Sequence, residues 1–218
     1  FSISLRRILF LLVPISILTV VLRAQIVRVI LGTGAFDWNN TYYTAQTLGF
    51  FALSIFAQGL IPLLARSFYA HEDTKTPMSI SIFSILINII LSWLLSKNMG
   101  VVGLGLAFSI SSIINMFLLY IVLHFRVQNI DHAKILNSLN KIAVNALLAG
   151  YVAYAVLHIL SKFVDMYTGW GIFIQGFGAG LAGLLAYLIL GIVFKLEEID
   201  IVKRMLKKSL LLFKNGKS

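Results

Sequence analysis

The stretch RSFYAHEDTKTP, residues 66–77, separates two hydrophobic runs that are each long enough to cross a lipid bilayer. Charged and hydrogen-bonding side chains are denser here than in any other gap between such runs. A polar stretch of this kind cannot remain in hydrocarbon, so the two runs that flank it must end at the same membrane surface. Residues 66–77 therefore predict a pair of antiparallel membrane helices joined by a short loop.

The composition extends this prediction to the whole chain. Of 218 residues, 59% are hydrophobic and 12% are charged, and the mean hydropathy is +0.93. These values are typical of polytopic membrane proteins. Alternating barrel segments are absent, so we predict an all-α membrane bundle with about six transmembrane helices. The six hydrophobic runs are residues 8–31, 41–64, 78–95, 101–125, 142–160 and 170–194.

A basic segment follows the last hydrophobic run. Its apolar residues recur at spacings of three or four, and lysines and arginines occupy the other faces. This pattern predicts a C-terminal amphipathic helix at the membrane interface, where basic residues attract anionic lipid. An ordinary solvated tail remains the alternative. The apolar residues of the pattern are Ile199, Val202, Leu206, Leu210 and Phe213.

The distribution of basic residues predicts the orientation. The net charge is +10, but the charge is spread over loop ends and the tail, which favours membrane phosphate over nucleic acid as its partner. One side of the predicted bundle has 14 lysines and arginines and the other has 4. By the positive-inside rule, both ends of this chain and the 66–77 loop are expected in the cytoplasm.

The sequence gives little support to an enzymatic function. It contains no cysteine, and its four histidines lack the spacing of a metal site. A Ser/His/Asp grouping and a phosphate loop are missing as well. We therefore expect no catalytic residues, metal or cofactor. The chain begins at Phe1 without an initiator methionine, and we interpret it as the C-terminal part of a longer protein.

Helix capping accounts for part of the 66–77 loop. Thr76 before Pro77 predicts an N-cap followed by a proline at the first helical position. Arg66 is expected to complement the negative end of the preceding helix. Capping does not require the aromatic pair Phe68 and Tyr69 or the Asp73-Thr74-Lys75 sequence.

Those letters resemble the signature of the MurJ/MviN family of lipid II flippases, in the multidrug/oligosaccharidyl-lipid/polysaccharide exporter superfamily. A second element upstream, containing Gly34, Phe36 and Asp37, is similar to another family motif, and the resemblance covers most of residues 5–125. The signature residues are Arg66, Phe68, Tyr69, Ala70, Asp73, Thr74, Lys75, Thr76 and Pro77.

The resemblance implies a bacterial cytoplasmic-membrane transporter that moves lipid II, the undecaprenyl-diphosphate-linked peptidoglycan precursor, by alternating access. Residues 1–128 would be the last four helices of the second lobe. Residues 129–195 would add a cytoplasmic loop and two further helices, and residues 196–218 a basic cytoplasmic tail. Coupling to a cation or to the membrane potential, and contact with cell-wall synthesis proteins, are further expectations. An exporter of another polyprenyl-linked sugar or of drugs, and a scaffold that does not transport, are the alternatives.

Two arginines interrupt the first hydrophobic run. Ile8 to Leu22 is fifteen residues, or about 22 Å of helix, which is too short to cross a core of about 30 Å. Arg23 therefore either snorkels to the surface, together with Arg28, or faces a cavity or gate where it meets an anion.

Polar and small residues inside the other runs are further candidates. Asn88, Ser92 and Asn115 fit hydrogen bonding between helices, whereas the resemblance implies a sodium ion near Asn88, although these two runs contain no carboxylate. Small residues in the last two runs predict that these helices pack as a pair. The resemblance instead places a lipid-tail groove along them. The small residues are Ala146, Gly150, Ala153, Gly176, Gly180 and Gly183.

Overall fold

The computed structural model describes residues 1–31, 38–126, 132–165 and 168–199, without the side chains of residues 38 and 132–134. The described part is helical and contains six helical segments that are long and apolar enough to cross a membrane. The predicted all-α membrane bundle is confirmed. The helices are α1 (Ser2–Leu31), α2 (Trp38–Ala52), α3 (Ile55–Tyr69), α4 (Lys75–Met99), α5 (Val101–Arg126), α6 (His132–Leu160) and α7 (Gly169–Val193).

The second predicted run is broken into two helices. α2 and α3 meet at Leu53 and Ser54, near the middle of a 31-residue span. Side chains bind carbonyl groups at the break: the hydroxyl of Ser109 on α5 donates to the Phe50 carbonyl, and that of Ser54 donates to the Phe51 carbonyl at 2.9 Å. Irregular backbone at membrane depth is tolerated where protein groups satisfy it in this way.

Two helices organise the bundle. α1 packs against α2, α3, α6 and α7, and α5 packs against α2, α3 and α4. The buried core joins apolar residues of α1, α3, α5 and α6. We call the end that contains the α3–α4 loop the loop end, and the opposite end, which contains Gly100 and Gly169, the far end.

Small residues let three helices approach closely. A Cβ added to Gly183 of α7 would lie 2.6 Å from Leu18 Cδ2 on α1 and 2.8 Å from Ala153 Cβ on α6. Gly150 of α6 likewise lies against Ile17 of α1, since a Cβ there would be 2.6 Å from Ile17 Cγ2. The predicted pairing of the last two helices is confirmed, and α1 completes a three-helix contact.

The segment after α7 turns back onto the bundle. Leu196 and Ile199 are buried and belong to the core cluster. Ile199 is thus a packing residue, whereas the rest of the predicted amphipathic helix, residues 200–218, lies outside the described residues.

Candidate functional site

The α3–α4 loop is held by one carboxylate. Asp73 Oδ1 accepts a hydrogen bond from the Thr76 backbone N–H at 3.0 Å, and its Oδ2 forms an ion pair with Arg126 at the end of α5. Arg126 also donates to Thr76 Oγ1 at 3.1 Å and lies 5.9 Å from the ring centroid of Phe68. The carboxylate thus joins the start of α4 to the end of α5.

This geometry corrects the expected cap. α4 begins at Lys75, so Thr76 and Pro77 lie inside its first turn and Thr76 is not the N-cap. The side chain of Asp73 satisfies one of the free N–H groups instead, as acidic residues near a helix N-terminus do. The expectation for Thr76 was wrong because Thr-Pro was taken as the boundary, whereas the helix starts two residues earlier than Pro77.

Hydrogen bonds lower the pKa of Asp73 from 3.8 to about 2. The largest cause is the side-chain hydrogen bond with Thr76, followed by the Thr76 backbone N–H, and the positive charge of Arg126 adds to both. The carboxylate is therefore charged at any physiological pH.

The other signature residues divide into buried and exposed. Phe68 and Pro77 are buried, and Phe68 belongs to the core cluster. The exposed residues leave a polar surface at the loop end, and they are Arg66, Tyr69, Ala70, Thr74 and Lys75. Arg126 belongs to this loop site but was not predicted, because it is 53 residues from Asp73. The sequence offered one signal for Arg126: it is a basic residue that ends a hydrophobic run on the same predicted membrane side as the 66–77 loop.

A second polar cluster at the loop end joins α1, α6 and the turn after α7. Arg6 Nη1 lies 2.8 Å from Glu197 Oε2 and 3.6 Å from Glu198 Oε1. The Ser138 hydroxyl donates to Glu198 Oε1 at 3.0 Å. Glu198 is 4% exposed, so its charge is balanced inside the protein by Arg6. We call this group the Arg6 cluster.

Arg23 lies at a recess between α1 and α2. Its Cδ is 2.7 Å from the position of a Cβ on Gly49, so the side chain crosses α2 where α2 has no side chain. The recess has a volume of about 380 Å³, and Gln46 and Phe50 line it. We call it the Arg23 recess.

An apolar groove of about 450 Å³ lies between α1 and α7. Gly176 and Gly180 form its floor, since Cβ atoms there would be 3.0 Å from Gln25 Cβ and 3.1 Å from Leu22 Cδ1. Ala146 and Ala153 of α6 are buried, and with Gly150 and Gly183 they serve the helix contacts. The six small residues therefore separate, with two at the groove and four within packed interfaces.

The polar residues of α4 and α5 form hydrogen bonds. Asn88 Nδ2 donates to Ser111 Oγ at 3.0 Å, and Ser92 Oγ donates to Asn88 Oδ1 at 3.0 Å. Asn88, Ser111 and Asn115 line a recess of about 330 Å³ between α4 and α5. The Oδ1 of Asn115 is buried without a partner among the described residues. Asn88 thus links α4 to α5 through Ser111.

The remaining candidates are Arg28 and the second sequence element. Arg28 is in the last turn of α1. Gly34, Phe36 and Asp37, the second sequence element, lie outside the described residues.

Comparison with known proteins identifies the family. Residues 1–173 match the family model described as lipid II flippase MurJ. The chain belongs to the MurJ family. It is 29% identical over 204 residues to the lipid II flippase MurJ of Thermosipho africanus, an alignment that covers 93% of this chain and 38% of that protein. It is 35% identical over 123 residues to the probable lipid II flippase MurJ of Rhizobium tropici, covering 56% of this chain and 23% of that protein.

The fold agrees with the MurJ assignment. A solved structure of lipid II flippase MurJ in an inward closed conformation matches with a TM-score of 0.72 and 28% identity, over 88% of this chain and 38% of that one. The chain therefore spans about two-fifths or less of the length of these MurJ proteins. The match also extends the expected resemblance, which stopped near residue 125, into α6 and α7. A MurJ family member with six such helices is a multi-pass membrane protein.

Proposed function

We propose that this chain is part of a lipid II flippase, which moves the polyprenyl-diphosphate-linked peptidoglycan precursor across the bacterial cytoplasmic membrane by alternating access. The observation that carries this proposal is the family match over residues 1–173. The shared fold with a MurJ structure over 88% of the chain supports it. In this proposal the protein is a transporter without a catalytic centre.

The described helices fit this function in three places. The loop site, Asp73 with Arg126 and Thr76, ties helix ends together at the surface where a gate would open and close. The α2–α3 break allows the half-helices to tilt about Ser54, as discontinuous helices do in transporters. The apolar groove between α1 and α7 suits a polyprenyl tail, because its lining is entirely carbon.

In this proposal residues 1–128 act as lobe helices, and residues 129–195 add the two helices that carry the tail groove. The loop end faces the cytoplasm, as the basic-residue count favours. The basic tail expected over 196–218 begins with residues that pack on the bundle, and its part after Ile199 lies against anionic lipid. Transport is coupled to a cation or to the membrane potential, and cell-wall synthesis proteins receive the product.

The decisive experiment depletes the resident flippase of a bacterial cell and expresses the complete gene product that contains this chain. We expect lipid II to reappear on the outer leaflet, measured by its accessibility to an externally added lipid II-degrading enzyme. Restored growth without lipid II externalisation would contradict the proposal and favour a scaffold. Externalisation of a different polyprenyl-linked sugar instead would favour another exporter.

The loop site gives a sharper test within the same assay. Asp73→Asn removes the charge that holds Arg126, and we expect externalisation to fall ~fivefold, the size of effect of losing one exposed ion pair. Glu72→Gln is the matched control, since it removes the neighbouring acidic charge, which is exposed and forms none of the described ion pairs. If the two variants externalise lipid II equally at equal expression, Asp73 has no role in the gate.

A further inference from the structure

A recess of about 910 Å³ opens at the far end, between the start of α2 and the α4–α5 turn. We call it the far-end recess. Its volume lies within the ~300–1,000 Å³ that small-molecule sites in proteins occupy. It shares no residue with the loop site, the Arg6 cluster or the apolar groove. The aromatic and side-chain amide residues that line it are Asn40, Tyr42, Tyr43, Gln46 and Asn98.

One face of α2 forms the first wall of the recess. Asn40, Tyr43 and Thr47 follow one another at spacings of three and four residues, which places them on the same side of a helix. Tyr42 and Tyr43 are 54% and 55% exposed. Their ring centroids lie 5.7 Å apart in an edge-on arrangement. Two accessible aromatic rings therefore stand at this wall.

The α4–α5 turn forms the second wall. Gly100 has a φ of +57°, a conformation that residues with side chains rarely adopt, so the chain reverses tightly between α4 and α5. α5 then approaches α2 closely, since a Cβ added to Gly105 would lie 3.0 Å from the Thr47 carbonyl oxygen. This contact fixes the distance between the two walls. Asn98 lines the recess from the turn.

The chemistry of the lining is neutral. None of the described residues that line the recess is charged. The side-chain amides of Asn40, Gln46 and Asn98 take part in none of the described hydrogen bonds, and each amide has two donor hydrogens and an acceptor oxygen. A tyrosine ring adds a flat apolar surface with a polar tip. Neutral hydrogen-bonding groups beside aromatic rings suit an uncharged ligand with C–H faces and many polar groups, which is the chemistry of a sugar.

We propose that the far-end recess binds an N-acetylated sugar, the uncharged disaccharide of the polyprenyl-linked precursor, after it has crossed the membrane. This inference rests on the proposed function, in which the far end faces outwards and the substrate includes such a disaccharide. The tyrosine rings cover the C–H face of a sugar ring, and the amides bind its hydroxyl and N-acetyl groups. The recess thus holds the glycan on the release side of the membrane.

The test uses the complete gene product in detergent micelles and compares Tyr43→Ala, Tyr43→Phe and Tyr151→Ala. Tyr151 on α6 is 72% exposed and does not line the recess, so it is the control for loss of an exposed tyrosine. Saturation-transfer NMR, which detects weak sugar binding, measures the affinity for diacetylchitobiose. Cellobiose has the same ring scaffold without the N-acetyl groups, and undecaprenyl phosphate has no sugar.

We expect Tyr43→Ala to weaken binding of diacetylchitobiose ~fivefold to tenfold, the scale of one stacked ring. Tyr43→Phe should keep most of the affinity because its ring remains, and Tyr151→Ala should equal the natural protein. Cellobiose should bind more weakly, and the affinity for undecaprenyl phosphate should be the same in Tyr43→Ala. Unchanged binding of diacetylchitobiose by Tyr43→Ala would overturn the proposal, and so would equal binding of cellobiose by the natural protein.

Two other occupants of the recess are outcomes of the same test. If another segment of the complete protein fills it, the natural protein will not bind diacetylchitobiose and the proposal is overturned. If a soluble glycan strand of the cell wall displaces diacetylchitobiose and lipid II does not, the recess serves the polymer and the proposal is overturned as well. Should Tyr43→Ala not give a monodisperse protein, Asn98→Ala on the other wall replaces it, with the same expected loss of sugar binding.

The proposed function fails separately from this inference. If the natural protein binds diacetylchitobiose through Tyr43 but does not externalise lipid II in cells, the transport proposal fails and the sugar site stands. If it externalises lipid II and Tyr43→Ala binds diacetylchitobiose normally, the sugar site fails and transport stands.

Discussion

At the loop end, charged side chains join helices that are distant in sequence, whereas at the far end the helices border open recesses. Arg126 ties α5 to the α3–α4 loop, and Arg6 ties α1 to α6 and the turn after α7. The far end instead has a recess of about 910 Å³ between the start of α2 and the α4–α5 turn, and the Arg23 recess lies beside it. The described ion pairs thus lie at the loop end, and the two open recesses lie at the far end.

This difference shows how a bundle can move without coming apart. Helices that are joined at one end can tilt at the other. Close contacts between small residues, such as Gly183 and Ala153, are the places where the helices would slide against each other. The α2–α3 break lies between the two ends, where such a tilt would be absorbed. The comparison predicts that loss of the buried ion pair at the loop end lowers stability.

The Arg6 cluster should give the largest effect on stability. Arg6→Gln leaves the buried Glu198 carboxylate without its counter-charge, and we expect the free energy of unfolding to fall by ~3 kcal/mol. The measurement is the thermal unfolding midpoint of the detergent-purified complete protein. Arg7→Gln is the matched control, because Arg7 is exposed on the same helix turn. An equal unfolding midpoint for the two variants would mean that the ion pair of Arg6 with Glu198 does not stabilise the loop end.

Substitution of Gly183 tests the close contact between α1, α6 and α7. Gly183→Val places atoms where Leu18 and Ala153 already lie, and we expect a loss of ~1 to 3 kcal/mol of stability from overpacking. The control is Gly169→Ala at the start of α7, where a Cβ would meet nothing within 4 Å. Thermal midpoints of the two variants that agree within error would show that the helices can separate at this contact without cost.

The loop site should give the smallest effect, seen in acid. The pKa of Asp73 is lowered from 3.8 to about 2, so its contribution to stability is fully present above pH 3.8 and is lost as the pH falls towards 2. Between pH 5 and 8 we expect this contact to be independent of pH.

The matched variants for the acid titration are Thr76→Val and Arg126→Gln. Thr76 and Arg126 both lower the pKa of Asp73, so Thr76→Val and Arg126→Gln should each raise it towards 3.8. Carboxyl-carbon NMR of Asp73 in the purified protein measures the midpoint. A natural protein that titrates near 3.8 would show that the loop hydrogen bonds do not form in solution.

Sequence reasoning located the membrane helices and the α3–α4 loop because both depend on local properties. Twenty apolar residues in a row require a bilayer, and a polar stretch such as residues 66–77 must leave it. The start of α4 was misplaced by two residues, since Asp73 competes with Thr76 for the cap and the sequence pattern favours Thr-Pro. The break at Leu53 and Ser54 was missed because no residue there forbids a helix. Ser109 on α5, 59 residues from Phe50, helps satisfy the break.

The sequence by itself determined that this protein is a membrane bundle of helices, and its loop letters carried the family resemblance, because hydropathy and motif are read along the chain. Only the tertiary structure decided which charges meet. Arg126 pairs with Asp73 across 53 residues and Arg6 with Glu197 across 191, and the Arg23 side chain lies against Gly49 of α2. Such contacts depend on how whole helices pack, and packing is set by glycines and serines whose spacing along the chain does not name their partners.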